Sequence, residues 1–170
     1  MKNLIAATYA PMLENGDLNL DIIPSYALFL KSNLIEGAFV NGSTGDFVSL
    51  STVERKKLIT AWAKAKPNNF FLTNHVGHTN INEAKELAAH SKDLVDAICV
   101  LPPYYFKPKT IESLLHYCSE IALSAPNTPF YYYHIPVLTG AEFSMIDFMK
   151  LAVEQIPNFS DIKYSQYNPT

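Results

Sequence analysis

Residues 37–46 are Gly37-Ala38-Phe39-Val40-Asn41-Gly42-Ser43-Thr44-Gly45-Asp46, a short apolar run that leads directly into a polar turn with two glycines. The residues that follow include Ser51-Thr52-Val53-Glu54. A serine and a glutamate at this spacing form the capping box that begins many helices. The stretch therefore predicts a buried strand, a turn and a helix, in that order.

The same order recurs along the chain at intervals of about 30 residues, the usual length of a strand–helix–strand unit. Each repeat begins with an apolar run rich in β-branched and aromatic residues, at 4–10, 37–41, 70–76, 97–101, 129–133 and 159–164. The runs are almost continuously apolar rather than alternating. This pattern predicts parallel strands that are covered on both faces.

The segments between these runs have apolar residues at helical spacing, beginning with residues 20–32. Thr110 is expected to cap a further helix, and Asn80 with Glu83 is expected to form a second capping box. A proline shortly before three of the strands is expected to end the preceding helix, at Pro67, Pro126 and Pro157.

Six strand–helix repeats indicate an α/β protein with a parallel sheet, which is either an open doubly wound sheet or part of a (β/α)8 barrel. The glycine fingerprint of a dinucleotide site does not follow the first strand. Polar residues instead follow nearly every strand, as on the catalytic face of a barrel. A complete barrel takes about 250 residues. We therefore expect one domain over residues 1–170, an incomplete (β/α)8 barrel of about six βα units.

The composition limits the classes of partner. The 170 residues include 13 basic and 16 acidic side chains, for a net charge of −3, and Arg55 is the single arginine, which argues against a nucleic-acid surface. No apolar run approaches the ~20 residues of a membrane helix. Cys99 and Cys118 lie in apolar segments without a second thiol at metal spacing. We expect buried free thiols and a cytoplasmic protein.

Three sites at strand ends could carry chemistry. In the turn 42–46, backbone N–H groups and the hydroxyls of Ser43 and Thr44 could converge on an anion such as a carboxylate. The alternative is an ordinary glycine-containing turn.

The second site is the run Tyr131-Tyr132-Tyr133 at the end of the fifth strand. Because side chains alternate along a strand, Tyr131 and Tyr133 share a face, where a tyrosine could transfer a proton. The alternative is that all three are packing aromatics.

The third site is Lys163, a cation within the last apolar run. Burial would favour the neutral amine, which is the form that attacks carbonyl groups. The alternative is a solvated lysine on an edge strand. His75 and His78 form a pair without a nearby third ligand, so we expect no metal site there.

Taken together, the turn 42–46, the Pro-Tyr-Tyr at 103–105, the Tyr-Tyr-x-Ile-Pro at 132–136 and the strand lysine resemble the pyruvate-dependent class I aldolase family. This family includes sialic acid lyases and dihydrodipicolinate synthases. The resemblance covers residues 4–165 and is strongest to the sialic acid lyases at 39–42 and 130–140.

The resemblance implies aldol cleavage of N-acetylneuraminate, a sialic acid, to N-acetylmannosamine and pyruvate. Lys163 stands at the position of the family's Schiff-base lysine, and Tyr133 at that of its proton-transferring tyrosine. Ser43 and Thr44 match the pair that holds the pyruvate carboxylate. Neither a metal nor another cofactor is implied.

The resemblance also implies a homotetramer, because Tyr105 matches a tyrosine that reaches a neighbouring subunit's site. Ser165 replaces a threonine often found in the substrate site, and Asp46 replaces the usual glutamate, which is one methylene longer. The family's last two βα units, with its sugar-recognising residues, lie beyond Thr170, so we expect a shortened chain of low intrinsic activity.

Two alternatives remain open. One is another pyruvate aldolase, such as a dihydrodipicolinate synthase or a 4-hydroxy-2-oxoglutarate aldolase. The other is a non-catalytic remnant that binds a full-length homologue.

Overall fold

A computed structural model describes residues 4–166 of the chain. Within this range it contains six strands, β1 (Ile5–Ala7), β2 (Gly37–Val40), β3 (Phe71–His75), β4 (Ala97–Val100), β5 (Phe130–His134) and β6 (Phe159–Tyr164). Six helices alternate with them, α1 (Ile23–Ser32), α2 (Thr52–Ala65), α3 (Ile81–Ser91), α4 (Ile111–Ala122), α5 (Pro136–Thr139) and α6 (Met145–Gln155). No helix of the described range is long and apolar enough to cross a membrane.

The described residues divide into two compact units, an N-terminal unit (residues 4–75 and 93–96) and a C-terminal unit (residues 76–92 and 97–166). In both units the order of the strands in the sheet is their order along the chain. The expectation of one domain over residues 1–170 stays a prediction.

The N-terminal unit consists of parallel strands β1, β2 and β3 with α1 and α2 packed against them. All four residues of β2 are buried, which explains why its sequence is continuously apolar. Trp62 of α2 is fully buried and meets the Tyr26 ring of α1 edge-on, with 5.3 Å between the ring centres. The core of this unit therefore lies between the sheet and these two helices.

The C-terminal unit consists of parallel strands β4, β5 and β6 with α3, α4, α5 and α6. Tyr132 of β5 packs on Phe148 of α6, with 4.4 Å between the ring centres. A shift of register after Phe130 places Tyr131 opposite Asp161 and Tyr133 opposite Lys163. The predicted buried free thiols, Cys99 and Cys118, are confirmed.

Most of the predicted helix boundaries are confirmed. Ser51 accepts a hydrogen bond from the Glu54 N–H and completes a capping box, and Thr110 caps α4. The predicted second capping box is wrong, because the Asn80 side chain accepts from the Asn82 N–H instead. Asparagine favours this shorter bond to the backbone two residues on. The predicted helix at 20–32 begins with a 3₁₀ turn (Leu20–Ile22) before α1.

Candidate active site

The turn after β2 presents an unused hydroxyl. Asn41, just before the turn, and Asp46, its last residue, both adopt left-handed backbone conformations, with φ of 57° and 46°. Between them lies the 3₁₀ turn Ser43–Gly45. The Ser43 hydroxyl oxygen is buried and has no hydrogen-bond partner among residues 4–166, whereas Thr44 is exposed. A buried hydroxyl without a partner is costly, so a ligand that bonds to Ser43 would relieve that cost.

A network of buried polar side chains supports this turn. Asn41 Nδ2 donates to Asn74 Oδ1 at 2.8 Å and to the Arg55 carbonyl at 3.1 Å. His75 Nδ1 donates to the Asn41 carbonyl at 2.9 Å, which fixes the proton on that nitrogen. These bonds hold Asn41 in a conformation that few residues other than glycine adopt. His75 is thus engaged in the turn, and no group of three metal-binding side chains occurs within the described range.

Strand β5 separates the tyrosines by face. Tyr132 packs beneath α6, as the packing alternative expects, while Tyr133 points to the opposite face of the strand and is only 4% exposed. Tyr131 is partly buried, and desolvation, followed by the charge of Asp161, raises the pKa of its hydroxyl. The three neighbouring tyrosines therefore occupy different environments.

Lys163 lies on the Tyr133 ring. Its Nζ is 3.7 Å from the ring centre and donates a hydrogen bond to Ser165 Oγ at 3.3 Å. The lysine is half-buried rather than enclosed. The reason is that β6 is the last strand of the described sheet, so one side of the lysine has no strand beside it.

The two remaining predicted residues lie in different surroundings. Ser165 accepts from the lysine amine, and its own N–H donates to the His134 carbonyl at 2.8 Å, which extends the β5–β6 pairing by one bond. Tyr105 lies in the loop between β4 and α4, where it is 77% exposed and contacts Phe106 edge-on. Ser165 is thus brought to Lys163 and Tyr133, and Tyr105 is presented at the surface.

Two further residues are polar and buried but are not among the predicted site residues. His134 lies on the face of β5 opposite Tyr133, where its Nε2 contacts Gln166 Oε1 at 2.7 Å and its ring stacks on Tyr164. Arg55 is fully buried on α2. The helical spacing of the sequence could have predicted this burial, because Arg55 lies on the same face of α2 as the buried residues Leu58, Ile59 and Trp62.

Comparison with known proteins identifies the family. Residues 1–168 match the model of the "Dihydrodipicolinate synthetase family". The N-acetylneuraminate lyase of Xenopus tropicalis is 40% identical over 173 residues, which cover 99% of this chain and 56% of that protein. The human N-acetylneuraminate lyase is 38% identical over 168 residues, which cover 97% of this chain and 52% of that protein.

The chain belongs to the dihydrodipicolinate synthetase family. It spans about half the length of the relatives that it matches. The predicted resemblance to the pyruvate-dependent aldolases is therefore confirmed, at the level of a lyase or aldolase family.

Solved structures of N-acetylneuraminate lyases and dihydrodipicolinate synthases have the same fold as this chain. The N-acetylneuraminate lyase of Proteus mirabilis superposes with a TM-score of 0.95 at 35% identity, over 99% of this chain and 57% of that one. A dihydrodipicolinate synthase superposes with a TM-score of 0.89 at 28% identity, over 99% and 57%. The expected fold, an incomplete (β/α)8 barrel of about six βα units, is confirmed.

Proposed function

We propose that this chain carries the Schiff-base machinery for aldol cleavage of N-acetylneuraminate to N-acetylmannosamine and pyruvate. The observation that supports the proposal most directly is the contact between the Lys163 amine and the Tyr133 ring, across the β5–β6 pairing. It brings a nucleophile and a proton-transferring group together on one face of the sheet.

Lys163 begins the reaction. Its neutral amine adds to the ketone carbon of the open-chain sugar acid, and loss of water leaves a protonated imine. This cation accepts the electron pair of the C3–C4 bond when that bond breaks. The Ser165 hydroxyl, 3.3 Å from the amine nitrogen, orients the amine toward the ketone.

Tyr133 moves the proton. It takes the proton of the C4 hydroxyl, directly or through the substrate carboxylate, so that the C4 carbonyl forms as the C3–C4 bond breaks. N-acetylmannosamine leaves, and protonation of the enamine at C3 followed by hydrolysis releases pyruvate and regenerates the amine.

The turn 42–46 holds the carboxylate of the pyruvate moiety. The unpartnered Ser43 hydroxyl and the exposed Thr44 hydroxyl supply donors that suit an anion. A ligand at this turn would satisfy the Ser43 oxygen that no residue of the described range satisfies.

The same proposal includes the cellular compartment and the oligomeric state of the enzyme. Two buried free thiols favour the cytoplasm. The exposure of Tyr105 fits a homotetramer in which this side chain reaches a neighbouring subunit. The mass of the assembly in sedimentation equilibrium tests that part: a monomer would contradict it.

The central test is trapping of the Schiff base. The folded chain is incubated with pyruvate and borohydride, and peptide mass spectrometry locates the reduced adduct. We expect a 1-carboxyethyl group on Lys163. The matched controls are Lys163→Arg, which should abolish the adduct, and Lys150→Arg on the exposed face of α6, which should leave it unchanged.

The outcomes separate the candidate functions. No adduct in a folded chain would contradict the proposal and favour a non-catalytic remnant. An adduct with cleavage of N-acetylneuraminate supports the lyase. An adduct without cleavage, but with condensation of pyruvate and aspartate semialdehyde, would favour a dihydrodipicolinate synthase.

A further inference from the structure

Arg55 is a buried cation that contacts the residues on either side of the turn that follows β2. It is the one arginine in the sequence, and its side chain is completely buried. A guanidinium group stays protonated at every pH at which proteins fold, so the charge is carried into the interior.

The contacts of Arg55 connect it to the turn. Its Nη2 donates to the His75 carbonyl at 2.6 Å, and its guanidinium carbon lies 5.1 Å from the centre of the Phe47 ring. Phe47 is the first residue after the turn 42–46 and is itself buried. The ring of Phe47 also meets the His75 ring edge-on at 4.4 Å.

The backbone of Arg55 is connected to the other end of the same turn. Its carbonyl accepts from the side chain of Asn41, the residue that precedes Gly42. One buried residue of α2 therefore contacts the residues on both sides of the turn that presents Ser43 and Thr44.

We infer that Arg55 positions this turn and supplies the buried positive charge that makes it select ionised 2-keto acids over uncharged ketones. The inference rests on the proposed function, because it assumes that the turn holds a substrate carboxylate. In a region of low dielectric, a fixed cation attracts a nearby anion more strongly than the same cation would in water. Hydroxyl and N–H donors alone would accept a neutral ester carbonyl as well.

The test compares pyruvate with methyl pyruvate, which has the same ketone and no carboxylate. For each compound, the half-saturating concentration is measured by borohydride trapping at Lys163. We expect the Arg55→Met variant to need at least about tenfold more pyruvate, because it lacks the positive charge that attracts the carboxylate. The value for methyl pyruvate should stay within about twofold of that for the unsubstituted chain.

Two other variants separate charge from packing. Arg55→Lys keeps the charge and should keep most of the preference for pyruvate, although it loses the planar donor fork. Lys57→Gln removes a positive charge from the exposed face of the same helix and should change neither value. Equal losses for both compounds in Arg55→Met and Arg55→Lys would overturn the inference, since they indicate a packing role alone.

A measurement on the unsubstituted chain covers the case in which Arg55→Met does not fold. Buried charges are screened little by salt, so the preference for pyruvate should persist between about 0.05 M and about 0.5 M salt. A preference that disappears over this range would overturn the inference and leave the proposed function intact. No adduct with either compound would overturn both.

Discussion

The amine nitrogen of Lys163 lies 3.7 Å from the centre of the Tyr133 ring, and the two residues are direct partners in the β5–β6 pairing. The face of the ring attracts the amine when the amine is charged and shields it from water when it is neutral. The contact depends on the ring, whereas proton transfer depends on the hydroxyl. These two contributions of Tyr133 can be separated by substitution.

Tyr133→Phe should keep the adduct and lose cleavage. The ring still covers Lys163, so trapping with pyruvate should remain close to that of the unsubstituted chain, while cleavage of N-acetylneuraminate falls about a hundredfold or more. Tyr133→Ala should lower both. Borohydride trapping and release of pyruvate are the two measurements. Unimpaired cleavage by Tyr133→Phe would remove this tyrosine from the mechanism.

Tyr132→Phe should leave stability unchanged or raise it by about 1 kcal/mol. The Tyr132 hydroxyl is buried without a hydrogen-bond partner within residues 4–166, so its removal relieves a cost. Tyr117→Phe is the matched control, because the Tyr117 hydroxyl donates to the His78 carbonyl at 2.7 Å. That variant should lose about 1 kcal/mol in urea unfolding. Equal losses in the two variants would contradict the assignment.

Ser51→Ala should destabilise the chain by about 1 kcal/mol near neutral pH, through loss of the capping box of α2. Hydrogen bonds from the Ser51 side chain and backbone lower the pKa of Glu54. A carboxyl group whose pKa is lower in the folded state than in the unfolded state stabilises the fold at a pH above its unfolded-state pKa. This stabilisation is lost as the pH falls through the folded-state pKa. The difference between the variant and the unsubstituted chain should therefore shrink in acid.

The control for this substitution is Ser49→Ala, at an exposed position shortly before α2. The backbone N–H of Ser49, which the substitution keeps, donates to the Asp46 carbonyl. Its stability should change little at any pH. A pH-independent effect of Ser51→Ala would show that the Glu54 carboxylate takes no part in the cap.

Stability should fall as the pH rises above about 8.5, where the thiols of the unfolded chain release their protons. Burial raises the pKa of Cys99 and of Cys118, so the folded chain keeps both protons. A thiol whose pKa is higher in the folded state than in the unfolded state stabilises the fold fully at a pH below its unfolded-state pKa. This stabilisation is lost progressively as the pH rises from the unfolded-state pKa toward the folded-state pKa. Each thiol contributes a slope of up to ~1.4 kcal/mol per pH unit.

Urea unfolding between pH 8 and pH 9.5 measures how steeply the free energy of unfolding falls with pH. Cys118→Ala should remove the contribution of one thiol from this slope. The native chain should also react slowly with thiol reagents, because both thiols are buried. Rapid reaction at neutral pH, or the same slope in Cys118→Ala, would contradict the burial of these side chains.

Local patterns were sufficient for much of the fold. Continuous apolar runs predicted the six strands, and the bounds of β6 agree with its run at 159–164. The hydroxyls of Ser51 and Thr110 predicted where α2 and α4 begin, because a cap depends on residues only a few positions away. The exception is Asn80, whose side chain accepts from the N–H two residues on rather than three.

The sequence by itself determined the α/β class, the order of the elements, the capped helix starts and the residue types at the strand ends, since all of these follow from neighbours along the chain. Tertiary structure alone decided that Tyr133 pairs with Lys163, that Tyr132 lies beneath α6 and that Arg55 contacts His75 and Phe47. These three relationships depend on strand register and helix packing. Register and packing are contacts between residues far apart in the chain, and no local pattern encodes them.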